Sequence, residues 1–451
     1  MNAVDPHQPN PPLRSTAVQI VQKLQQAGHT AYFAGGCVRD ELLGRTPKDY
    51  DIATSATPEQ VQQLFDRVTD LQGKSFGVLR VMKGDHAFEV ATFRHDGTYR
   101  DGRRPESVTF ATPEEDARRR DFTVNGLFLD PVTGQVIDFV GGQDDLRAGL
   151  LRAIGRAEDR FQEDHLRLFR AVRFAANLDF QIDPATWQAV LHLSNLGRDL
   201  APERVRDELI RCFTGPHPQR ALDLLMESRL LDFWIPEIRE MMGVEQPPQF
   251  HPEGDVYTHV RLMVGMLKDA DVVLAFSVLL HDISKPETYF VDHTGRIRFN
   301  EHESRGARKA EDILRRLRFS NEQIEAICAC IANHMAFKDV PHMRVSTLKR
   351  FLARPTMPVE IELHRIDCSG SHNDLEIYDL VKQKLEEFAH EPLKPDPLVN
   401  GKDLQALGME PGREMGKILH QLMDEQLEGR FRDREAALKR AKALLQSLGI
   451  G

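Results

Sequence analysis

The fold of this chain is decided by residues 33–51, which read FAGGCVRDELLGRTPKDYD. An apolar strand runs into Gly35 and Gly36, and the residues after these glycines have the composition of a helix. Glycine lets a backbone come close to a ligand, and the N–H groups at a helix N-terminus attract phosphate. The stretch therefore predicts a strand, a phosphate-binding turn and a helix, and then a turn into a second strand near Asp49.

Two carboxylates lie one residue apart at this second strand, Asp49 and Asp51. Side chains alternate along a strand, so both carboxylates are predicted on one face and the intervening tyrosine on the other. A pair placed in this way can hold divalent ions about 3.5–4 Å apart, the arrangement used for in-line phosphoryl transfer. A neighbouring strand carries Glu89, which is either a third carboxylate of the site or a partner for Arg80 or Arg94.

Together these residues resemble the first motif of the class II tRNA nucleotidyltransferase and poly(A) polymerase family, a branch of the DNA polymerase beta nucleotidyltransferase superfamily. Residues 119–126, RRDFTVNG, are similar to the second motif of that family. The resemblance covers nearly the whole chain, and the motifs occur in the right order. It implies a two-magnesium nucleotidyl transfer site with the following residues: Asp49 and Asp51 for Mg²⁺, Gly35, Gly36 and Arg39 for the triphosphate, and Arg120 and Asp121 for the incoming ribose.

A polar flank recurs every three residues in the stretch 163–173, which is predicted to be one helix and contains Asp164, Arg167, Arg170 and Arg173. The alternative is a solvated helix that a Glu163–Arg167 pair stabilises. Arginine only donates hydrogen bonds and ionised aspartate only accepts them, so the two complement cytosine or adenine and mismatch uracil and guanine.

The same stretch resembles the EDxxR motif of the family, which selects the base without a nucleic-acid template. Asp164 and Arg167 are therefore predicted to read the base, and Arg170 and Arg173 to support them or to hold phosphate. Residues 100–105, RDGRRP, look like the family's flexible loop at full length, which disfavours an enzyme that adds only C. The alternative for residues 100–105 is a solvated arginine-rich surface loop.

Nine of the 18 histidines fall between His251 and His372. Imidazoles and carboxylates at such intervals can bind one or two transition metals and activate water. Residues 280–286, LHDISKP, resemble an HD-domain phosphohydrolase, with Ser284 where that family commonly has glycine. The resemblance implies hydrolysis of phosphomonoesters or 2′,3′-cyclic phosphates with Ni, Mn, Co or Fe, whereas a degenerate, structural HD domain is the alternative. The predicted ligands are His259, His281, Asp282, His302, His334 and Asp367.

The predicted architecture is an α+β head of the DNA polymerase beta type, with a mixed sheet and helices, followed by an all-α neck, an HD domain and a tail. The boundaries are residues 1–155 for the head, 156–247 for the neck, 248–390 for the HD domain and 391–451 for the tail. A chain of 451 residues with 41% hydrophobic residues is long enough for several packed domains.

Composition says little about binding partners, because the net charge of −10 gives no overall positive charge that would indicate nucleic acid. Residues 429–442 nevertheless carry six cations against two acids, and the tail resembles that of bacterial CCA-adding enzymes, which implies tRNA as a partner. The longest apolar run, 272–280, is too short to span a bilayer. The five cysteines form no CxxC pair, which fits a reducing cytoplasm.

The sequence thus predicts a cytoplasmic enzyme, a monomer or a homodimer, that adds C, C and A to the 3′ end of tRNA from CTP and ATP with Mg²⁺. An A-adding tRNA nucleotidyltransferase or a poly(A) polymerase shares every motif and stays open as an alternative. Two alternatives of another class are a phosphohydrolase in which only the HD residues act, and an RNA-binding module. The paired carboxylates argue against both.

Overall fold

The computed structural model describes residues 11–70, 77–97, 102, 107–249, 251–390 and 392–448. The chain forms two compact units, Met1–Pro236 and Glu237–Gly451. The predicted division into four domains is finer than this and stays a prediction.

The first unit contains eleven described strands, most of them short. They are β1 (Ala31–Ala34), β2 (Ile52–Thr54), β3 (Val68–Asp70), β4 (Val78–Lys83), β5 (His86–Thr92), β6 (Arg94–Asp96), β7 (Val108–Phe110), β8 (Phe128–Leu129), β9 (Val136–Ile137), β10 (Leu150–Leu151) and β11 (Gln181–Ile182). Seven of them form a mixed sheet in the order β3-β4-β5-β2-β1-β8-β9. Within this sheet β2 and β5 are parallel, whereas β1 runs antiparallel to both β2 and β8.

Ten described helices complete this unit. They are α1 (Pro11–Gln26), α2 (Gly36–Leu42), α3 (Pro58–Leu64), α4 (Pro113–Arg118), α5 (Gly142–Ala148), α6 (Ala157–Glu163), α7 (Arg167–Leu178), α8 (Pro184–Leu193), α9 (Pro202–Phe213) and α10 (Pro218–Glu227). Helix α1 packs on β1, β2 and β5, and α7 packs between α9 and α10.

Local sequence explains where α3 begins but not where it ends. Thr57 accepts a hydrogen bond from the N–H of Gln60 and forms a capping box with it, as the Thr-Pro-Glu pattern predicts. Val61, Leu64, Phe65 and Val68 recur with helical spacing, which predicts a helix through Val68. This prediction is wrong at its end, because α3 stops at Leu64 and Val68 begins β3. Sheet pairing with β4 therefore overrides the helical period.

The prediction of one helix over residues 163–173 is also wrong. Helix α6 ends at Glu163, Asp164 adopts an extended backbone (φ −136°, ψ 104°), and α7 begins at Arg167. The Asp164 side chain accepts a hydrogen bond from the N–H of Leu166 at 3.2 Å. A short acidic side chain that bonds to a nearby main-chain N–H competes with the helix, which explains the break.

The second unit is helical except for one hairpin. Its elements are α11 (Glu237–Glu240), α12 (Val256–Gly265), α13 (Val272–Leu280), α14 (Lys285–Thr288), β12 (Tyr289–Val291), β13 (Ile297–Phe299), α15 (His302–Arg316), α16 (Asn321–Asn333), α17 (Val345–Leu352), α18 (Met357–Gly370), α19 (Glu376–Glu387), α20 (Gly401–Ala406), α21 (Arg413–Leu427) and α22 (Arg434–Ser447). Helix α13 packs against α12, α16 and α18, and its residues 275–280 are buried.

The predicted α+β head with a mixed sheet and the helical remainder of the chain are confirmed. The antiparallel hairpin of β12 and β13 is a feature that the sequence did not predict. Within the described part of the chain, none of the helices is long and apolar enough to cross a membrane.

Candidate functional site

The first unit contains an open cleft of about 910 Å³. Eleven cationic and six acidic side chains line it, a local excess of positive charge in an acidic protein. All the predicted nucleotidyl transfer residues meet here: Gly35, Gly36, Arg39, Asp49, Asp51, Arg120, Asp121, Asp164, Arg167, Arg170 and Arg173. The roles of these individual residues stay predictions.

Asp49 and Asp51 directly precede β2, which begins at Ile52, so the strand predicted near Asp49 starts later than expected. The exposed aspartates and the buried Tyr50 nevertheless alternate as predicted. The main-chain carbonyl of Asp51 accepts a hydrogen bond from the N–H of Ala34 at 3.0 Å, which fixes the residue at the end of β1. Burial, and then the negative charges of Asp49 and Glu89, raise the pKa of Asp51 to about 6, although Arg120 opposes the shift. The residue nevertheless remains exposed to solvent.

Glu89 joins this group through the register of the sheet. Ile52 of β2 is paired with Val90 of β5 in parallel, so the preceding residues Asp51 and Glu89 are neighbours at the same edge. Arg80 is the cross-strand neighbour of Glu89 on β4. Three carboxylates that repel one another are a donor set that fits divalent cations with oxygen ligands.

Tyr50, between the two aspartates, anchors the segment from behind. Its ring lies 4.9 Å from that of Phe33, and its hydroxyl donates a hydrogen bond to Glu41 Oε1 at 2.9 Å. Glu41 in turn accepts a hydrogen bond from Arg14 Nε at 2.7 Å. The side chain of Tyr50 therefore links the carboxylate segment to helices α1 and α2.

The turn before α2 requires glycine. Gly35 has a left-handed φ of 72°, and a Cβ atom on it would lie 2.8 Å from Arg120 Nη1. Arg39 of α2 donates to Asn125 Oδ1 at 2.7 Å and to Asp40 Oδ1 at 2.7 and 2.9 Å. The guanidinium group of Arg39 is thus held in one plane at the wall of the cleft.

Hydrogen bonds connect the second motif to the first. Asn125 accepts from Arg39 and donates to Asp121 Oδ1 at 3.1 Å. Asp121 also accepts from Arg170 Nε at 2.8 Å. Burial alone would raise the pKa of Asp121, but the charges of Arg170 and Arg167 and the Asn125 amide lower it to about 2. The carboxylate is therefore ionised at neutral pH.

The predicted base-reading residues lie side by side at the break between α6 and α7. Asp164 Oδ2 accepts from Arg204 Nη2 at 3.0 Å, whereas Arg167 pairs with Glu163 at 2.6 Å. Arg167 also donates to the main-chain carbonyl of Arg119 at 2.9 Å. Asp164 and Arg167 are thus each held by residues outside the pair, and these contacts fix the planes of the carboxylate and the guanidinium group.

Sequence reasoning missed several residues that hold this cleft together. Asp116 is buried and accepts from both Arg119 and Arg120, and Glu208 pairs with Arg173. Arg204 and Glu208 lie on α9, about forty and thirty-five residues from their partners, so no local pattern points to them. Asn125 lies inside the second motif, and that position was the only available indication of its role.

A second cavity, of about 680 Å³, lies in the second unit. His281 directly follows α13, His302 begins α15 and His334 follows α16. Asp282 belongs to two buried groups that could hold a metal ion, one with His259 and His281 and one with His302 and His334. His259 of α12 and Asp367 of α18 complete the predicted set and lie 3.1 Å apart.

Three of these histidines are fixed in one tautomer. Nδ1 of His281, His302 and His334 each lies at hydrogen-bonding distance, 3.0, 2.8 and 2.7 Å, from the main-chain carbonyl three residues earlier. Nδ1–H therefore donates, and the Nε2 lone pair is left for another partner. Nε2 of His302 and Nε2 of His334 face each other at 3.1 Å.

Two acceptor lone pairs at this distance repel unless a cation or a proton lies between them. Burial and the nearby His281 and His302 lower the pKa of His334 to about 3, so a proton is disfavoured. Oδ2 of the buried Asp282 lies 2.7 Å from Lys285 Nζ and 3.1 Å from His281 Nε2, but neither contact has hydrogen-bond geometry. This donor set of nitrogen and carboxylate atoms fits a divalent transition metal.

Ser284, which departs from the HD pattern, has a structural partner. Its hydroxyl donates to the main-chain carbonyl of His302 at 2.7 Å and joins the HD segment to α15. In the tail, three of the six cations of residues 429–442 are paired with acids, which reduces the predicted basic patch: Arg430 with Glu428, Arg434 with Asp403 and Arg440 with Glu425. The predicted flexible loop, 100–105, lies outside the described residues except for Gly102.

Comparison with known proteins identifies the family. Residues 31–152 match the poly A polymerase head domain, residues 179–242 a probable RNA- and SrmB-binding site of polymerase A, and residues 304–441 a putative tRNA nucleotidyltransferase domain 2. The CCA-adding enzyme of Ligilactobacillus salivarius is 31% identical over 442 residues, 95% of this chain and 96% of that enzyme. The chain belongs to the CCA-adding enzymes.

Two further relatives support this family assignment. The CCA-adding enzyme of Geobacillus stearothermophilus is 47% identical over 221 residues, and the match spans 54% of its length and 49% of this chain. The crystal structure of the Bacillus stearothermophilus CCA-adding enzyme in complex with CTP superposes with a TM-score of 0.72 at 27% identity, covering 97% of this chain and 99% of that one. The predicted family and the predicted class, a tRNA nucleotidyltransferase, are confirmed.

Proposed function

We propose that this chain adds C, C and A to the 3′ end of tRNA from CTP and ATP. The observation that carries the proposal is that one cleft brings the carboxylates Asp49 and Asp51 together with the base-reading candidates Asp164 and Arg167. The relative that matches nearly the full length of this chain is a CCA-adding enzyme, which supports the same conclusion.

The proposed reaction is nucleotidyl transfer without a template. The 3′-oxygen of the tRNA attacks the α-phosphorus of the nucleotide, and the bond from this phosphorus to the leaving pyrophosphate breaks. Asp49 and Asp51, with Glu89 beside them, would hold Mg²⁺ ions, which lower the pKa of the 3′-hydroxyl and neutralise the leaving group. Gly35, Gly36 and Arg39 position the triphosphate.

The base is proposed to be selected by fixed hydrogen bonds. Asp164 accepts from the amino group of cytosine or adenine, and Arg167 donates to the ring acceptor beside it. Arg204 and Glu163 hold the two groups in place. Uracil and guanine present a donor to Arg167 and a carbonyl to Asp164, so both contacts would fail. Arg120 and Asp121 are proposed to contact the ribose.

We further propose that the second cavity is a metal-dependent phosphohydrolase site of the HD type. The specific observation is the pair of Nε2 atoms of His302 and His334 that face each other among buried carboxylates. A metal bound there would supply activated water for attack on a phosphomonoester or a 2′,3′-cyclic phosphate. Lys285, 2.7 Å from Asp282, lines the same cavity.

A cytoplasmic location is proposed because the substrate is tRNA and because all five cysteines are unpaired in the structure. The state of assembly, monomer or homodimer, stays a prediction.

The test uses purified protein, Mg²⁺ and tRNA transcripts that end before CCA, after C or after CC, with each nucleoside triphosphate separately and together. Addition of C, C and A from CTP plus ATP is expected. A single A on the CC-ending transcript alone would indicate an A-adding enzyme. Long A tails on any RNA would indicate a poly(A) polymerase.

A further inference from the structure

The four histidines predicted as metal ligands differ in the group that faces Nδ1. His281, His302 and His334 all use a main-chain carbonyl three residues earlier. His259 instead places Nδ1 2.6 Å from the carboxylate oxygen Oε1 of Glu253. At His259 alone among the four histidines, Nδ1 therefore faces a charged carboxylate instead of a neutral main-chain carbonyl.

Glu253 is built into this position. Its side chain is 7% exposed, and the same Oε1 atom lies 2.9 Å from Nδ1 of His251, whose ring meets that of His259 edge to face. The other oxygen, Oε2, is buried and has no hydrogen bond within the described residues. The Nδ1 atoms of His259 and His251 therefore lie 2.6 and 2.9 Å from one buried carboxylate oxygen, and the contact at His259 is an ion pair without hydrogen-bond alignment.

A carboxylate that accepts Nδ1–H does two things to a metal-binding histidine. It fixes the tautomer in which Nε2 carries the lone pair, and it makes the imidazole a stronger donor to the metal. Nε2 of His259 lies 3.1 Å from Oδ1 of Asp367, a separation typical of two ligand atoms around one ion. Glu253 would therefore influence the metal indirectly, by changing the orientation and the donor strength of His259.

The described residues contain three groups of potential ligand atoms, and one of them, His251, Glu253 and His259, includes Glu253 itself. The other two groups define two sub-sites. The His259 sub-site comprises His259, His281, Asp282 and Asp367, and the His302 sub-site comprises Asp282, His302 and His334. We propose that Glu253 is a positioning residue that orients His259 and raises the affinity of the His259 sub-site, and not of the His302 sub-site, for a divalent transition metal. The proposal rests on the metal site proposed above.

The test is a Co²⁺ titration of the metal-stripped full-length protein. Binding is measured by calorimetry and by the visible absorption of bound Co²⁺. Glu253→Ala is expected to weaken one of two classes of Co²⁺ site by about 10- to 100-fold and to leave the other nearly unchanged. Glu253→Gln, whose amide oxygen still accepts Nδ1–H without the charge, should fall between Glu253→Ala and the wild type. If Glu253→Ala does not fold, the comparison of Glu253→Gln with the wild type alone tests the proposal.

Glu301→Gln is the matched control, because it removes the same charge from a 70% exposed side chain that lines the same cavity and pairs with Arg305. Its Co²⁺ affinities should equal those of the wild type. Unchanged affinities in both Glu253 variants, an equal fall in both classes of site, or an equal effect of Glu301→Gln would overturn the role of Glu253. A wild-type protein that binds no Co²⁺ would overturn the metal site itself, and the role of Glu253 with it.

Discussion

The two cavities of this molecule differ in how they arrange their candidate metal ligands. In the cleft of the first unit, solvent-accessible carboxylates at a strand edge stand among arginines. In the second unit, buried imidazoles are fixed by main-chain carbonyls before any metal arrives. Hard oxygen ligands suit Mg²⁺, which keeps part of its water, whereas neutral nitrogen ligands suit transition metals.

The proposed functions explain this difference by what each site must release. Nucleotidyl transfer expels pyrophosphate in every cycle, so ions that arrive and leave with the nucleotide need an open site with few protein ligands. A hydrolytic site that only activates water can retain its metal, which favours a complete and buried ligand set. The comparison therefore predicts a weakly held, exchanging metal in the cleft and a resident metal in the histidine cluster.

The largest expected effect comes from the cleft carboxylates. Asp49→Ala and Asp51→Asn should each lower the rate of nucleotide addition by about a thousandfold or more, because a metal contributes several kcal/mol of charge stabilisation in the transition state. The measurement is single-turnover addition to a CC-ending transcript. Glu59→Gln, an exposed acid on α3 outside the cleft, is the control and should keep the wild-type rate. Full activity of Asp51→Asn would contradict the two-metal proposal.

Base discrimination is the next effect in size. Arg167→Ala should relax the exclusion of UTP and GTP by about 10- to 100-fold, because the wrong base then no longer opposes a buried donor. Competition between CTP and UTP on one transcript gives the ratio of kcat/KM values. Arg156→Ala, a 75%-exposed arginine that precedes α6, should leave the ratio unchanged. Equal discrimination in Arg167→Ala and wild type would remove the base-reading role.

A smaller effect is expected from the anchor behind the carboxylates. Tyr50→Phe keeps the ring packed against Phe33 but removes the hydrogen bond to Glu41. One such bond contributes about 0.5–1.5 kcal/mol, so kcat should fall several-fold, with a higher Mg²⁺ requirement and an unchanged KM for CTP. A lower thermal stability with unchanged kcat and Mg²⁺ requirement would show that the bond serves only the fold.

The smallest effect concerns stability and has a definite sign. The pKa of Asp51 in the folded protein, about 6, is higher than the ordinary value of 3.8, so its ionised form destabilises the fold above pH 6. In the absence of Mg²⁺, Asp51→Asn should therefore be more stable than the wild type by on the order of 1 kcal/mol at neutral pH, since solvent exposure weakens the effect. The difference should shrink as the pH falls from about 6 to 4. Thermal unfolding at several pH values measures it, and a variant less stable at neutral pH would contradict the electrostatic account.

The two sites also differ in how much of their geometry could be predicted from the sequence. The cleft motifs are local, since Gly35 and Gly36 form one turn and Asp49 and Asp51 flank one buried tyrosine just before β2. Their alternating exposure could therefore be predicted from the sequence. The break at Asp164 could not be predicted, because its cause is a side-chain bond that competes with the helix and a pair with the distant Arg204. The helical period of residues 163–173 was correct only from Arg167 onward.

The histidine cluster was predicted as a set of residue types, but not as a geometry. The hydrogen bonds that fix Nδ1 in three histidines involve main-chain carbonyls, which carry no sequence preference. Glu253 is six residues before His259 and has no motif of its own, so only the folded structure reveals its contact. Long-range partners and main-chain acceptors are the part of a site that sequence patterns do not encode.

The central claim is that one chain carries two independent metal sites, and one comparison tests it most directly. Asp51→Asn and His281→Ala are each assayed for CCA addition with Mg²⁺ and for release of phosphate from p-nitrophenyl phosphate and of nucleotide from 2′,3′-cyclic AMP with Ni²⁺, Mn²⁺ or Co²⁺. The account predicts that Asp51→Asn loses addition and keeps hydrolysis, and that His281→Ala loses hydrolysis and keeps addition. Loss of both activities in either variant, in protein that remains folded, would contradict it, as would a wild type without hydrolysis.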